Sequence, residues 1–243
     1  MPTARRRYGQ TWAMAYIESP TPSFLFDLDG TLIDSVYQHV IAWRYALSDL
    51  GIDLSVWRIH RRIGMSGGLF VSALLRETGL SLSQADIDQL QHAHAEQYRA
   101  QMDSVTALPG ARELLGTLTE AGVQWAIATS GYAITARPAL ALLGLPEDTP
   151  MVTRDLVRHA KPDPDLFLAA AAVLGVEPRH AMVVGDSVWD LLAARRAGTL
   201  GIGLMSGGYG REELERAGAY RVYADPAEML TRIDEVGVRT RPS

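Results

Sequence analysis

Asp27 and Asp29 stand one residue apart at the end of the apolar run Phe24-Leu25-Phe26, with Gly30 and Thr31 directly behind them. Two carboxylates this close repel, so a fold that buries them must supply a cation or a shared proton. A carboxylate can attack phosphorus and hold the phosphoryl group covalently. A second one beside it can trade protons with a leaving oxygen and with water. Residue type alone does not say which of the two attacks. Thr129, after the run Val123 to Ile127, offers a hydroxyl, and Ser130 and Gly131 add main-chain amides that suit an anion. Lys161, set in Ala160-Lys161-Pro162-Asp163-Pro164, offers a fixed positive charge to a transition state. Asp186 and Asp190 follow Met182 to Gly185 and lie four apart at a helix start, on one face.

Strands must end where these groups begin. Phe24 to Phe26 is apolar on both faces, as a central parallel strand would be, and Gly30 marks the turn out of it. Ligand sites in open α/β sheets lie beyond the carboxyl ends of such strands. Asp29 reaches the same side as Asp27 only if the strand extends through it. After Pro109-Gly110 the pattern alternates: helix Ala111 to Ala121, strand Val123 to Thr129, helix Thr135 to Leu143, strand Met151 to Thr153. Asp163 is expected to cap the next helix, with Pro164 at its first position. Then come strand Met182 to Gly185, helix Ser187 to Ala197, strand Gly201 to Leu204 and an edge strand Arg221 to Tyr223. Alternation of this kind implies a doubly wound parallel sheet with helices on both faces. Residues 34–103 show only helical periodicity, with Val36, Val40, Trp43 and Leu47 in step and a capping arrangement at Ser83-Gln84-Ala85-Asp86.

Asp27-Leu28-Asp29-Gly30-Thr31, Thr129-Ser130-Gly131, Lys161 before Pro162, and Gly185-Asp186-Ser187 with Asp190 occur in this order. Together they resemble the four motifs of the haloacid dehalogenase-like superfamily of hydrolases, over roughly residues 23–230. The resemblance implies a Rossmann-like core over 23–35 and 104–238, and an all-helical cap over 36–103. It implies Asp27 as nucleophile and Asp29 as acid and base, with Thr129, Ser130, Gly131 and Lys161 on the phosphate. Mg²⁺ is the expected cofactor, held by Asp27, the Asp29 main-chain carbonyl and Asp186. These are hard oxygens without His or Cys, as Mg²⁺ prefers. Asp190 is expected to steady Lys161 or a metal-bound water.

Residues 34–43 resemble the opening of the β-phosphoglucomutase subgroup, including His39 and Trp43. Where that subgroup carries an arginine for a second phosphate, this chain has Gly67 or Gly68 in Ile63-Gly64-Met65-Ser66-Gly67-Gly68. His94 falls where the subgroup has a lysine. His39, Trp43, Arg62, Ser66 and His94 are the candidate cap contacts to substrate. Trp43 reads either as a sugar platform or as a packed residue, and Arg61 and Arg62 as a substitute anion site or a solvated pair. His92 and His94, two apart on a helix, diverge and do not chelate one ion. The reading is a Mg²⁺-dependent phosphatase for a small phosphate monoester. A phosphomutase is the alternative, and a non-catalytic phosphate-binding protein the remote one. Metal-free dehalogenation is disfavoured, because that branch resembles Asp-x-Tyr.

Composition narrows the rest. A net charge of -5 over 243 residues argues against nucleic acid as a partner. The longest apolar run, Phe167 to Leu174, is too short for a membrane span. The absence of cysteine removes disulfides and thiolate chemistry and fits a cytoplasmic protein. Residues 1–22 read as an N-terminal extension, disordered unless it docks. Nothing in the sequence sets the oligomeric state.

Overall fold

The structure is a computed structural model that describes residues 21–239. The extension expected over 1–22 lies almost wholly outside the described residues. In chain order the elements are β1 (Ser23–Phe26), β2 (Ile33–Asp34), α1 (Val36–Asp49), α2 (Val56–His60), α3 (Gly67–Thr78), α4 (Gln84–Arg99), β3 (Thr106–Ala107), α5 (Ala111–Glu120) and β4 (Trp125–Ala128). They continue with α6 (Ala133–Ala136), α7 (Pro138–Leu143), β5 (Met151–Val152), α8 (Asp165–Leu174), β6 (Ala181–Gly185), α9 (Val188–Ala197), β7 (Leu200–Leu204), α10 (Arg211–Ala217), β8 (Ala219–Tyr223) and α11 (Pro226–Thr231).

Six strands form one sheet in the order β5-β4-β1-β6-β7-β8, and every pairing in it is parallel. β1 therefore lies inside the sheet, with its four residues fully enclosed. Its side chains alternate between the two faces. Phe24 and Phe26 pack with Leu114, Leu118, Leu140 and Met229 on the side of α5, α7 and α11. Leu25 packs with Phe167, Ala170 and Ala194 on the side of α8 and α9. This two-sided burial is why the strand reads as an unbroken apolar run.

The first four helices enclose a separate apolar cluster built on Val40, Trp43, Leu47, Ile59, Phe70, Leu74 and Leu90. Ser83 and Asp86 start α4 with a reciprocal capping box, Asp86 in the role usually taken by Glu. A short antiparallel ribbon, Ile33 with Ala107 and Asp34 with Thr106, joins this helical layer to the sheet.

Several expectations are corrected. The helix expected over 135–143 is two, because Pro138 lacks an amide hydrogen and a new helix begins at it. Asp163 does not cap α8; its carboxylate meets Arg196 at 3.4 Å, and Pro164 itself occupies the cap position. The ribbon of β2 and β3, and α2, α10 and α11, have no counterpart in the sequence reading. They are short elements of two to seven residues, below the length at which periodicity speaks.

Candidate active site

β1 ends at Phe26, yet pairing continues for one more residue, with the Asp27 amide donating to the Val184 carbonyl at 2.8 Å. Asp27 is thereby fixed at the sheet's carboxyl edge, buried beside the end of β6. Asp29 is not reached by an extended strand, as the sequence reading required. A tight turn delivers it: Leu32 and Ile33 donate to the Leu28 carbonyl, and Gly30 donates to that of Ile33 at 2.8 Å. Both aspartates line the same cavity.

Asp186 and Asp190 come from the end of β6 and the first turn of α9. A carboxylate oxygen of each lies within 4.8 Å of one from Asp27 and of one another, and all three residues are buried. Lys161 is fully buried between them, paired with Asp27 and, at 2.8 Å, with Asp190. Asp190 also closes the capping box of α9 through Ser187, so both its oxygens are engaged by protein. Asp186 accepts only from the Thr31 hydroxyl, at 3.1 Å, among the described side chains.

Three carboxylates against one ammonium leave the cluster short of positive charge. Burial pushes the Asp27 carboxyl up to about 7, with Asp190 and Asp29 adding to it and Lys161 opposing. Asp186 is raised well above the ordinary range for the same reasons, burial first and then Asp190 and Asp27. Burial works against the charge of Lys161, but Asp190 and Asp27 outweigh it and keep the ammonium protonated. An all-oxygen, under-compensated set of this kind fits a hard divalent cation. Gly207 marks how tightly the cluster is packed: any side chain there would overlap the Asp186 carboxylate. It lies in the segment directly after β7. No spacing signal would have found it.

Asp29 faces the helical layer. Its Oδ1 accepts from the Ser35 hydroxyl at 2.6 Å and lies 3.2 Å from His39 Nε2 and 3.5 Å from the Tyr98 hydroxyl. Burial alone would raise its carboxyl, but the charge and hydrogen bond of His39 and the bond from Ser35 win and hold it below the ordinary range. His39 stacks on Tyr98 at 3.8 Å and meets His94 Nε2 at 3.2 Å through its Nδ1. Burial, and then His39, hold His94 well below the usual imidazole range. Ser35 and Tyr98 were not singled out from the sequence. The available signals were the position of Ser35 directly after Asp34 and the four-residue step from His94 to Tyr98 on α4.

The remaining candidates divide. The Thr129 hydroxyl is buried and accepts from the Gly131 amide at 3.0 Å, so that amide is not free for an anion as expected. The Ser130 hydroxyl donates to the Gly64 carbonyl at 3.1 Å, tying this loop to the helical layer. Trp43 is sandwiched: Phe70 and His94 stack on it at 4.2 and 4.1 Å. Two rings so close and nearly parallel to it cannot share one face, so no sugar platform is open. Ser66 is not a pocket residue; its hydroxyl caps α3 at the Leu69 amide. Arg61 also points away, paired with Glu213 and lying 4.2 Å over Tyr209. Arg62, His39 and His94 do line the cavity. His92 is exposed beside Glu96, diverging from His94 as its spacing requires.

The family profile of haloacid dehalogenase-like hydrolases matches residues 22–198. The chain belongs to that family. Within these hydrolases it is 36% identical over 184 residues to hexitol phosphatase A of Escherichia coli, covering 72% of this chain and 79% of that protein. It is 32% identical over 212 residues to a phosphoglycolate phosphatase of Rhodospirillum rubrum, covering 84% and 88%. The crystal structure of a hydrolase from Pseudomonas syringae is 52% identical and superposes with a TM-score of 0.87, covering 88% of this chain and 98% of that one. A β-phosphoglucomutase from Clostridium difficile shares the fold at 23% identity and a TM-score of 0.77. The enzyme is a phosphoric monoester hydrolase of the haloacid dehalogenase-like type, and among the described residues no helix is long and apolar enough to cross a membrane.

Proposed function

We propose that this hydrolase cleaves a small phosphate monoester through an aspartyl-phosphate on Asp27, with Mg²⁺ as cofactor. The observation that carries the reading is the placement of Asp27: buried at the end of an interior strand, against Lys161 and opening onto the cavity that Asp29 also lines. Attack there forms the bond from the Asp27 carboxylate to phosphorus and breaks the ester bond, and the leaving oxygen takes a proton from Asp29. Water then attacks the phosphoryl group and gives its proton back to Asp29. In the free protein Asp29 is held ionised, the form that accepts this proton. A dianionic phosphate docked beside it raises its proton affinity, so Asp29 takes up from solvent, as substrate binds, the proton that it then gives to the leaving oxygen. Lys161 keeps a fixed positive charge against the attacking carboxylate, and Asp190 holds that charge in place. Thr129 keeps its hydroxyl hydrogen free to donate to a phosphoryl oxygen.

The residues that would hold the metal are Asp27, Asp186 and the Asp29 main-chain carbonyl. Mg²⁺ there would neutralise the approach of an anionic carboxylate to an anionic phosphate. The relatives' names divide between a neutral alcohol, hexitol, and an acid, glycolate, so they do not choose the leaving group. Hydrolysis is preferred to internal transfer because Gly67 and Gly68 open α3 and bring no charge to hold a second phosphate. The test is p-nitrophenyl phosphate turnover with and without Mg²⁺, in wild type and in Asp27→Asn. Release of phosphate that survives either the substitution or a chelator overturns the mechanism.

A further inference from the structure

Among the residues with which the helical layer lines the cavity are Trp43, Arg62, Phe70, Gln91 and His94. Among its described lining residues Arg62 is the one arginine or lysine. An arginine in such a place ordinarily reads a second anion on the substrate, a carboxylate or another phosphate, through its paired N–H groups. Here the charge and one hydrogen of each Nη are already engaged. The guanidinium forms an ion pair with Glu77, and its Nη1 donates to the Arg58 carbonyl at 2.5 Å. Arg58 closes the arrangement by meeting the other oxygen of Glu77 at 2.9 Å. Each Nη therefore has a protein partner, whereas Nε is buried without one. A second anion would meet a guanidinium whose charge Glu77 already balances, and would have to compete with that half-buried carboxylate for it. A hydroxyl oxygen needs only one free N–H.

We propose that the leaving group is a small uncharged polyol, one of whose hydroxyls accepts from Arg62, and that Glu77 enforces this choice by holding the arginine's charge. The inference rests on the phosphatase reading above. Trp43 is consistent with it. Sealed between two rings, it presents only an edge, so recognition falls to the polar groups of Arg62, Gln91 and His94. Glu77 acts here as a positioning residue, through Arg62.

The test compares glycerol 3-phosphate with 2-phosphoglycolate, esters of similar size with a neutral and an acidic leaving group, in the presence of Mg²⁺. Rates are normalised to p-nitrophenyl phosphate. Wild type should prefer the neutral ester in kcat/KM by about tenfold or more, and Glu77→Gln should cut that preference about fivefold by lowering KM for 2-phosphoglycolate. Glu77→Asp, which keeps the charge, should stay near wild type. Arg62→Gln gives a second reading should Glu77→Gln fail to fold: kcat/KM for glycerol 3-phosphate should fall about fivefold, while that for 2-phosphoglycolate stays within about twofold. Equal or reversed preference in wild type overturns the inference, as does an unmoved ratio in folded Glu77→Gln. Selective loss of 2-phosphoglycolate turnover in Arg62→Gln does the same. No phosphate release from any of the three esters would instead overturn the phosphatase reading, and this inference with it.

Discussion

The sheet edge and the helical layer solve opposite problems around one cavity. At the edge, Asp27, Asp186 and Asp190 are crowded round Lys161 with too little positive charge, an arrangement that costs stability and that the proposed mechanism would use. On the helical side, Trp43, Phe70, His94, His39 and Tyr98 stack ring on ring, an arrangement that stabilises. The difference teaches where each kind of substitution should act. Changes at the edge should remove activity and leave the fold intact or firmer. Changes on the helical side should loosen the protein and alter which ester is preferred.

The sharpest way to break this contrast is Asp27→Asn. Turnover of p-nitrophenyl phosphate should fall by about 10³-fold or more, because the proposed nucleophile is gone. The thermal midpoint should hold or rise, since one buried like charge has been removed. A destabilised variant would show that the edge is structural after all. Asp29→Asn should fall by about 10²- to 10⁴-fold, the usual worth of positioned acid and base catalysis.

Chelation should silence the enzyme, and Mg²⁺ should restore it. Without metal, the raised Asp27 carboxyl binds a proton in the folded state that the unfolded chain has already lost between its ordinary 3.8 and about 7. The folded state holds more protons there, so stability should decline as pH rises through that window. Thermal midpoints recorded from pH 4 to pH 7 with EDTA should show this decline, and Mg²⁺ should flatten it. Equal midpoints with and without metal at neutral pH would argue against a charge-starved cluster.

Gly64 sits at the contact between the two regions, with φ at +93° and room for a methyl blocked by the Ser187 hydroxyl at 2.7 Å. Gly64→Ala should lower kcat/KM by about tenfold, the equivalent of roughly 1.4 kcal/mol of strain and misfit. Trp43→Ala should give the smallest change in p-nitrophenyl phosphate turnover, within about threefold. Yet it should lose about 3–5 kcal/mol of stability in denaturant titration, as buried aromatic truncations do. A collapse of turnover with stability unchanged would make Trp43 a substrate contact instead.

The legibility of the molecule followed the same division. Asp27, Asp186 and Asp190 were readable because each follows a strand within a few residues, and Lys161 because it stands directly before Pro162; contiguous sequence carries that kind of placement. The parallel sheet was readable because Phe24-Leu25-Phe26 and its counterparts are apolar on both faces. Ser35, Tyr98, Gly207 and Glu77 were not, because they reach the site or its arginine from four separate elements. Their roles exist only once α1, α3, α4 and the segment after β7 are packed together. Ser66 was misread for a related reason. A hydroxyl beside glycines looks like a ligand contact in sequence, and only the helix that starts there shows it to be a cap.

The ribbon of β2 and β3 carries a mechanical consequence. The chain leaves the sheet through Ile33-Asp34 and returns through Thr106-Ala107, and the two passages are hydrogen-bonded to each other. Two independent tethers would let the helical layer tilt, slide and twist. Tethers fused side by side act as one hinge and leave essentially a single degree of freedom, a swing about the ribbon. One probe pair, such as spin labels at the exposed positions Trp57 and Tyr220, should therefore describe opening with a single distance coordinate, whatever ester occupies the cavity.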